Sequence, residues 1–110
     1  MLATESHPSV VLPGTLAPEI RYVRPNPAAS SASIGYSLSL PAGWRFARIS
    51  IYDVCGRVVR TFDPARGTRG FLEAAWDGIA ESGESVVSGV YFVRLEVDGA
   101  SDKQKVVLLR

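Results

Sequence analysis

Between Ala32 and Leu40 the chain alternates with period two. Ile34, Tyr36, Leu38 and Leu40 fall on one face, and Ser33, Gly35, Ser37 and Ser39 on the other. That period is the mark of a half-buried strand. It recurs in Phe46–Asp53, where Ile49 and Ile51 oppose Arg48 and Ser50, and in Arg57–Phe62. Leu72, Ala74 and Trp76 alternate with Glu73, and Tyr91, Val93, Leu95 and Val97 alternate with Arg94 and Glu96. Two further segments complete the set. Ile20–Arg24 is stopped by Pro25-Asn26-Pro27, and the two missing N–H donors confine it to a sheet edge. Asp102–Leu109 sets Val107 and Leu109 on the face of Lys103 and Lys105.

Turn chemistry separates these segments. Asp53-Val54-Cys55-Gly56 predicts a hairpin loop with Gly56 at positive φ, and Asp98-Gly99 is a strong two-residue hairpin signal. Pro41-Ala42-Gly43 turns the chain, Asp63–Gly70 is a polar loop, and a long turn runs from Asp77-Gly78 through Gly83. No segment carries the period of an amphipathic helix. Seven short strands with turns between them predict an all-β protein, a seven-stranded immunoglobulin-like β-sandwich. Its interior is predicted to hold Ile34, Tyr36, Leu38, Ile49, Ile51, Trp76, Tyr91, Val93 and Leu95, with Trp76 plugging the space between the sheets. Residues 1–19 differ in kind. Pro8, Pro13 and Pro18 interrupt them, and Val10-Val11-Leu12 is a small apolar island. They predict an extended N-terminal linker, either a tether or an arm that donates a strand to a neighbouring sheet. The sandwich domain is expected over 20–110.

Composition narrows the function classes. A chain of 110 residues makes one domain, and 46% hydrophobic with 21% charged residues is globular. The net charge of +1 carries no general attraction to polyanions. The longest apolar runs, Val90–Val93 and Val106–Leu109, are four residues, against roughly 20 for a membrane-spanning helix. One Cys and one His exclude an internal disulfide, multi-cysteine zinc sites and two-histidine metal motifs. No secretory signal opens the sequence.

Candidate chemistry is sparse. His7 sits in the linker, away from any scaffold that would hold a general base. Cys55 falls at a hairpin tip with no histidine nearby in sequence to lower its pKa, so a turn residue is expected. Asp77, Glu81 and Glu84 are spaced by four and three with Ile79 and Ala80 between, unlike a calcium loop, and read as solvated turn acids. Arg57, Arg60, Arg66 and Arg69 have only Phe62 among them and Asp63 and Glu73 close by, a solvated face rather than a nucleic-acid site. Trp44 alone makes no platform for a saccharide or other small-molecule ligand. No phosphate loop, dinucleotide fingerprint or nucleophile elbow is present. The expectation is a non-enzyme without cofactor or metal.

Three stretches together resemble a known family: Arg24-Pro25-Asn26-Pro27, then Ile51–Arg60, then Trp76-Asp77-Gly78 with Gly83, Val86, Ser88–Phe92 and Arg94-Leu95, completed by the strand Lys103–Leu109. The chain from about Ile20 to Arg110 resembles the immunoglobulin-like domain first named from the flagellar hook-capping protein. Similar modules occur as C-terminal sorting domains of type IX secretion cargo. Many relatives have an acidic residue where this chain has Ala80, and Asp102 and Gln104 interrupt the basic run typical of sorting tails. The resemblance implies a C-terminal module of a larger exported bacterial protein, secreted or at the cell surface after transit through the periplasm and read by type IX-like secretion machinery. The alternative it leaves open is a structural assembly module, a cap or filament subunit associating through strand edges or the N-terminal arm. Protein partners are expected in either case, and no nucleic acid. The expected recognition element is the final segment: Lys103, Lys105, Val106, Val107, Leu108, Leu109 and Arg110.

Overall fold

A computed structural model describes residues 18–38, 45–65 and 70–110. The strands are β1 (Glu19–Arg24), β2 (Ala32–Leu38), β3 (Ala47–Tyr52), β4 (Val58–Phe62), β5 (Gly70–Trp76), β6 (Gly89–Val97) and β7 (Ala100–Leu108). They form two antiparallel sheets, β1-β2-β5 and β4-β3-β6-β7, and no described residue is helical. The seven-stranded sandwich is therefore present as the alternation predicts. Leu40, Trp44, Arg66, Arg69 and residues 1–17, with His7 and the Val10–Leu12 island, lie outside the described residues.

The inward faces are those that the period-two pattern selects. Ile34, Leu38, Ile49, Ile51, Val93 and Leu95 are fully buried, and Tyr36, Trp76 and Tyr91 nearly so. Trp76 lies edge-on to Tyr91, ring centroids 5.6 Å apart, and its indole N–H donates to Ile79 O at 3.1 Å. The large apolar ring is thus buried with its polar atom satisfied. Tyr91 likewise donates its hydroxyl to Val87 O at 2.6 Å, and burial raises its pKa. Gly56 has φ 85°, the left-handed conformation its hairpin position requires. Asp98 and Gly99 both have positive φ, closing the β6–β7 hairpin in the twist that suits a two-residue turn.

Strand β1 departs from simple alternation. A register shift between Ile20 and Tyr22 lets Ile20 and Val23, three apart in sequence, both point inward. The shift sets Tyr22 opposite Gly35 of β2, which is itself opposite Glu73 of β5. The Tyr22 ring lies over Gly35, where a Cβ would collide with it, and its hydroxyl donates to Glu73 Oε2 at 2.5 Å. One side chain thereby spans the sheet, and that hydrogen bond raises the tyrosine pKa. The Arg24 guanidinium stacks 3.8 Å above the same ring.

Trp76 carries the largest buried volume in this core. Trp76→Ala is expected to lower the unfolding free energy by about 3–5 kcal/mol, measured by denaturant titration. A loss well under 1 kcal/mol would mean that the ring contributes no more than an exposed one.

Candidate functional site

The expected recognition segment is β7 and the two residues after it. Strand β7 lies at the edge of its sheet, beside β6 alone. Its apolar run resolves into two faces. Val106 and Leu108 are fully buried, Val107 is half-buried, and Leu109 is exposed. Val106 and Leu108 are thus core residues, and Lys103, Lys105, Val107 and Leu109 form the outward set. Arg110 joins neither. Its guanidinium donates to Val86 O at 2.8 Å and Gly78 O at 2.7 Å, and its N–H to the Ser88 hydroxyl at 2.9 Å. A Cβ on Gly78 would strike that guanidinium, so glycine and arginine fit as a pair.

The outer edge of β7 is occupied. Asn26, between two prolines, accepts from Val107 N–H at 2.9 Å through Oδ1 and donates from Nδ2 to Lys105 O at 3.0 Å. Ala28 then donates to Val107 O and accepts from Leu109 N–H, both at 2.8 Å, making a short parallel bridge. Further along, the buried Asp102 carboxylate accepts from Lys103 N–H at 2.9 Å and from Ile20 N–H of β1 at 2.8 Å. A partner strand reading Lys105–Leu109 through backbone hydrogen bonds would have to displace this strap. The face of β7 needs no such displacement.

On that face the cross-strand register groups cations with aromatics. Lys105 is opposite Phe92, which is opposite Tyr52, and Lys103 is opposite Arg94. Lys103 Nζ sits 5.6 Å from the Phe92 ring centroid. Tyr52, Asp53, Phe92, Arg94 and Lys103 line a shallow depression of about 340 Å³. Asp102 and Gln104, which interrupt the basic run in sequence, have the parity of the inner face, so they leave the outer cationic row unbroken. Arg94 approaches Glu96 at 3.8 Å, and among the described residues Lys103 and Lys105 pair with no carboxylate.

Asp53, Arg57, Arg60, Asp77 and Glu81, the other charged candidates with side-chain partners among the described residues, serve the fold. Asp53 accepts from Cys55 N–H at 2.9 Å, Arg57 N–H at 3.0 Å and Arg57 Nε at 3.0 Å. The Arg57 backbone hydrogen bond foremost, with its guanidinium and the Cys55 amide, holds the Asp53 pKa below the ordinary range. Cys55 is exposed on this turn, beside an open cleft of about 400 Å³ between the turn and Glu84–Tyr91. Arg60 donates to Ile79 O at 2.8 Å and Asp77 Oδ1 at 3.2 Å, and Glu81 Oε1 lies 3.9 Å from its Nε. Asp77 and Glu81 therefore serve that arginine and nearby amides, Ile79 N–H at 3.0 Å and Thr61 N–H at 3.2 Å. Among the described residues no three His, Cys, Asp or Glu side chains gather as metal ligands. Asp63 forms a two-pronged pair with Arg48 at 2.8 and 3.2 Å, which lowers the carboxyl pKa and raises that of the guanidinium.

Sequence reasoning singled out Lys103 and Lys105 without the aromatics that the structure sets beside them or the two caps of the edge. Asn26 carried one signal. Between two residues without N–H groups, it alone offers a donor and an acceptor spaced like a peptide unit.

The geometry defines an immunoglobulin-like module whose β7–β6–β3 face carries Lys103, Lys105 and Arg94 beside Phe92 and Tyr52. The chain belongs to the FlgD Ig-like domain family, whose model matches residues 24–101. Among solved structures it is similar to PorZ, an essential bacterial surface component of the type IX secretion system of Porphyromonas gingivalis, at 25% identity and TM-score 0.57 over 81% of this chain. It shares its fold with PorU from Porphyromonas gingivalis, at 22% identity and TM-score 0.67 over 84% of this chain. It also shares it with FlgD from Xanthomonas campestris, at 20% identity and TM-score 0.55 over 86% of this chain and 67% of that one. The chain spans 11% of PorZ and 9% of PorU. No curated protein matches it significantly.

Two predictions test this local account. Asn26→Ala removes both side-chain caps, and Val107 N–H should exchange with solvent roughly ten-fold faster, the equivalent of about 1–2 kcal/mol, read by hydrogen exchange. Unchanged exchange would mean that the strap does not hold the edge. For Asp53, whose folded-state pKa is depressed, the stabilisation is present above the unfolded pKa and lost as pH falls through the folded one. Protection of the Cys55 and Arg57 amides should therefore fall on acidification beneath the ordinary aspartate range, and Asp53→Asn should remove that dependence.

Proposed function

We propose that the chain is a non-enzymatic recognition module of a larger exported bacterial protein, working at the cell surface or outside the cell and read by type IX-like secretion machinery. Its partner is a protein. The observation that carries this reading is the outer face of β7. There Lys103 and Lys105 form no ion pair among the described residues and lie beside Phe92 and Tyr52, while the backbone edge next to them is occupied. Aromatics are enriched at protein interfaces, whose rims are polar, and a cationic rim favours a partner surface of opposite charge. Membership of the FlgD Ig-like family and likeness to a segment of PorZ support the choice of machinery. The non-enzymatic part is supported by the carboxylates of Asp53, Asp63, Asp77 and Glu81, which are engaged by arginines of the chain itself.

A second reading is assembly, as a cap or filament subunit, supported by the family's origin in a hook-capping protein. The two readings separate by size, since large assemblies in light scattering favour the second.

The test fuses the chain behind a periplasmic reporter in a host with a type IX system. Export of the reporter is expected. Lys103→Ser with Lys105→Ser should leave the circular dichroism and unfolding midpoint nearly unchanged, because exposed charges are worth ~0–1 kcal/mol each. Export should fall several-fold. A reporter that stays in the periplasm with the unaltered chain defeats the sorting role. Normal export from the folded double variant removes the lysines from it.

A further inference from the structure

The two sheets present four edges, and three of them are sealed. The edges of β1 and β7 close on each other through Ile20, Asn26, Ala28 and Asp102. The edge of β4 is capped by Glu81, whose N–H donates to Val59 O at 2.7 Å and whose carboxylate accepts from Thr61 N–H. The outer edge of β5 has no hydrogen-bonding partner among the described residues. It is also undefended. Its register with β2 runs unbroken from Gly70 to Trp76, with no proline, no lysine, no bulge and one charge, Glu73. A regular strand left this way is a template for another strand. The core is thin on the same side. Val59, Phe62, Leu72, Ala74 and Ala80 touch it while remaining partly exposed, and Phe71 is 56% exposed beside the edge.

We propose that the β5 edge is a docking site for a second copy of this chain, the two β5 strands pairing antiparallel about a two-fold axis. Three strands from each copy then form one continuous sheet. Charge permits this occupant, and the self-complementary pattern of the edge selects its register. Each copy carries a net charge of only +1, so two copies meet without general repulsion. A two-fold at Glu73 would set carboxylate against carboxylate, which is destabilising. The Trp76 end of the strand is bridged by Arg60 to Asp77 and Ile79. A two-fold at Leu72 avoids both. It places Phe71 opposite the second copy's Glu73 and brings the two half-buried leucines together, continuing each core into the other. One strand pair falls at the small end of specific interfaces, so the dissociation constant is tens of micromolar or weaker, roughly. The inference does not depend on the sorting role.

Sedimentation of the full chain under reducing conditions, which keep exposed Cys55 from cross-linking, tests it from roughly 10 μM to roughly 1 mM. The weight-average mass should climb toward that of two chains and stop there. Hydrogen exchange should show β5 amides gaining protection with concentration while β7 amides do not. Phe71→Glu, which opposes Glu73 in the proposed register, should weaken association by about ten-fold or more, whereas Phe71→Lys should preserve it. Ala75→Lys, a charge on the outer face of the edge, should also weaken it. A monomer at every concentration overturns the proposal. So do masses beyond two chains, β5 protection independent of concentration, or identical behaviour of the two Phe71 variants.

Discussion

The structure depends on how the two sheets are joined along β1 and β7. A sandwich has two open sides, and each exposes backbone groups that need partners. On this side the partners come from a few atoms. A buried carboxylate, Asp102, holds the N–H of Ile20, and an amide side chain, Asn26, stands in for a peptide against Val107 and Lys105. Ala28 adds a parallel bridge. Prolines on both sides of Asn26 offer no N–H of their own, so the strap seals β7 without presenting a new full edge. With that side closed, Ile20, Val23, Ala28, Val106 and Leu108 are buried.

Sealing the edge changes how the last strand can be read. Its backbone is committed inside the molecule, and what it offers is a face. Lys103 and Lys105 stand beside residues of two other strands, Phe92 and Tyr52, rather than in a linear tail. Arg110, adjacent in sequence, works inward as a clamp on the Gly78–Val86 turn. Basic residues that look equivalent along the chain thus divide into presenting and structural ones. On the opposite side Arg60 closes one end, and the outer edge of β5 has no hydrogen-bonding partner among the described residues, so the two flanks differ.

Much of this was legible in the chain. Period-two alternation placed the strands and chose Ile34, Ile49, Ile51, Val93 and Leu95 for the interior, because a pleated strand allows a side chain only two directions. Turn chemistry placed Gly56 and the Asp98-Gly99 hairpin, because positive φ is costly for other residues. The resemblance to the hook-capping domain rested on the same strands and turns, and family membership bears it out.

Other features lay beyond the sequence because they join residues far apart in it. The Tyr22–Gly35–Glu73 span exists through a register shift in β1 that no alternation announces, since a bulge changes which face a residue occupies. Asp102, an interruption of a basic run when read linearly, is a tie to Ile20, 82 residues away. Local sequence determined the conformation of each strand and turn, since steric and solvation preferences act over a few residues. Tertiary structure alone decided which edges were sealed, which cations faced outward and which aromatics stood beside them, because cross-strand neighbours are set by the packing of two sheets and not by order along the chain.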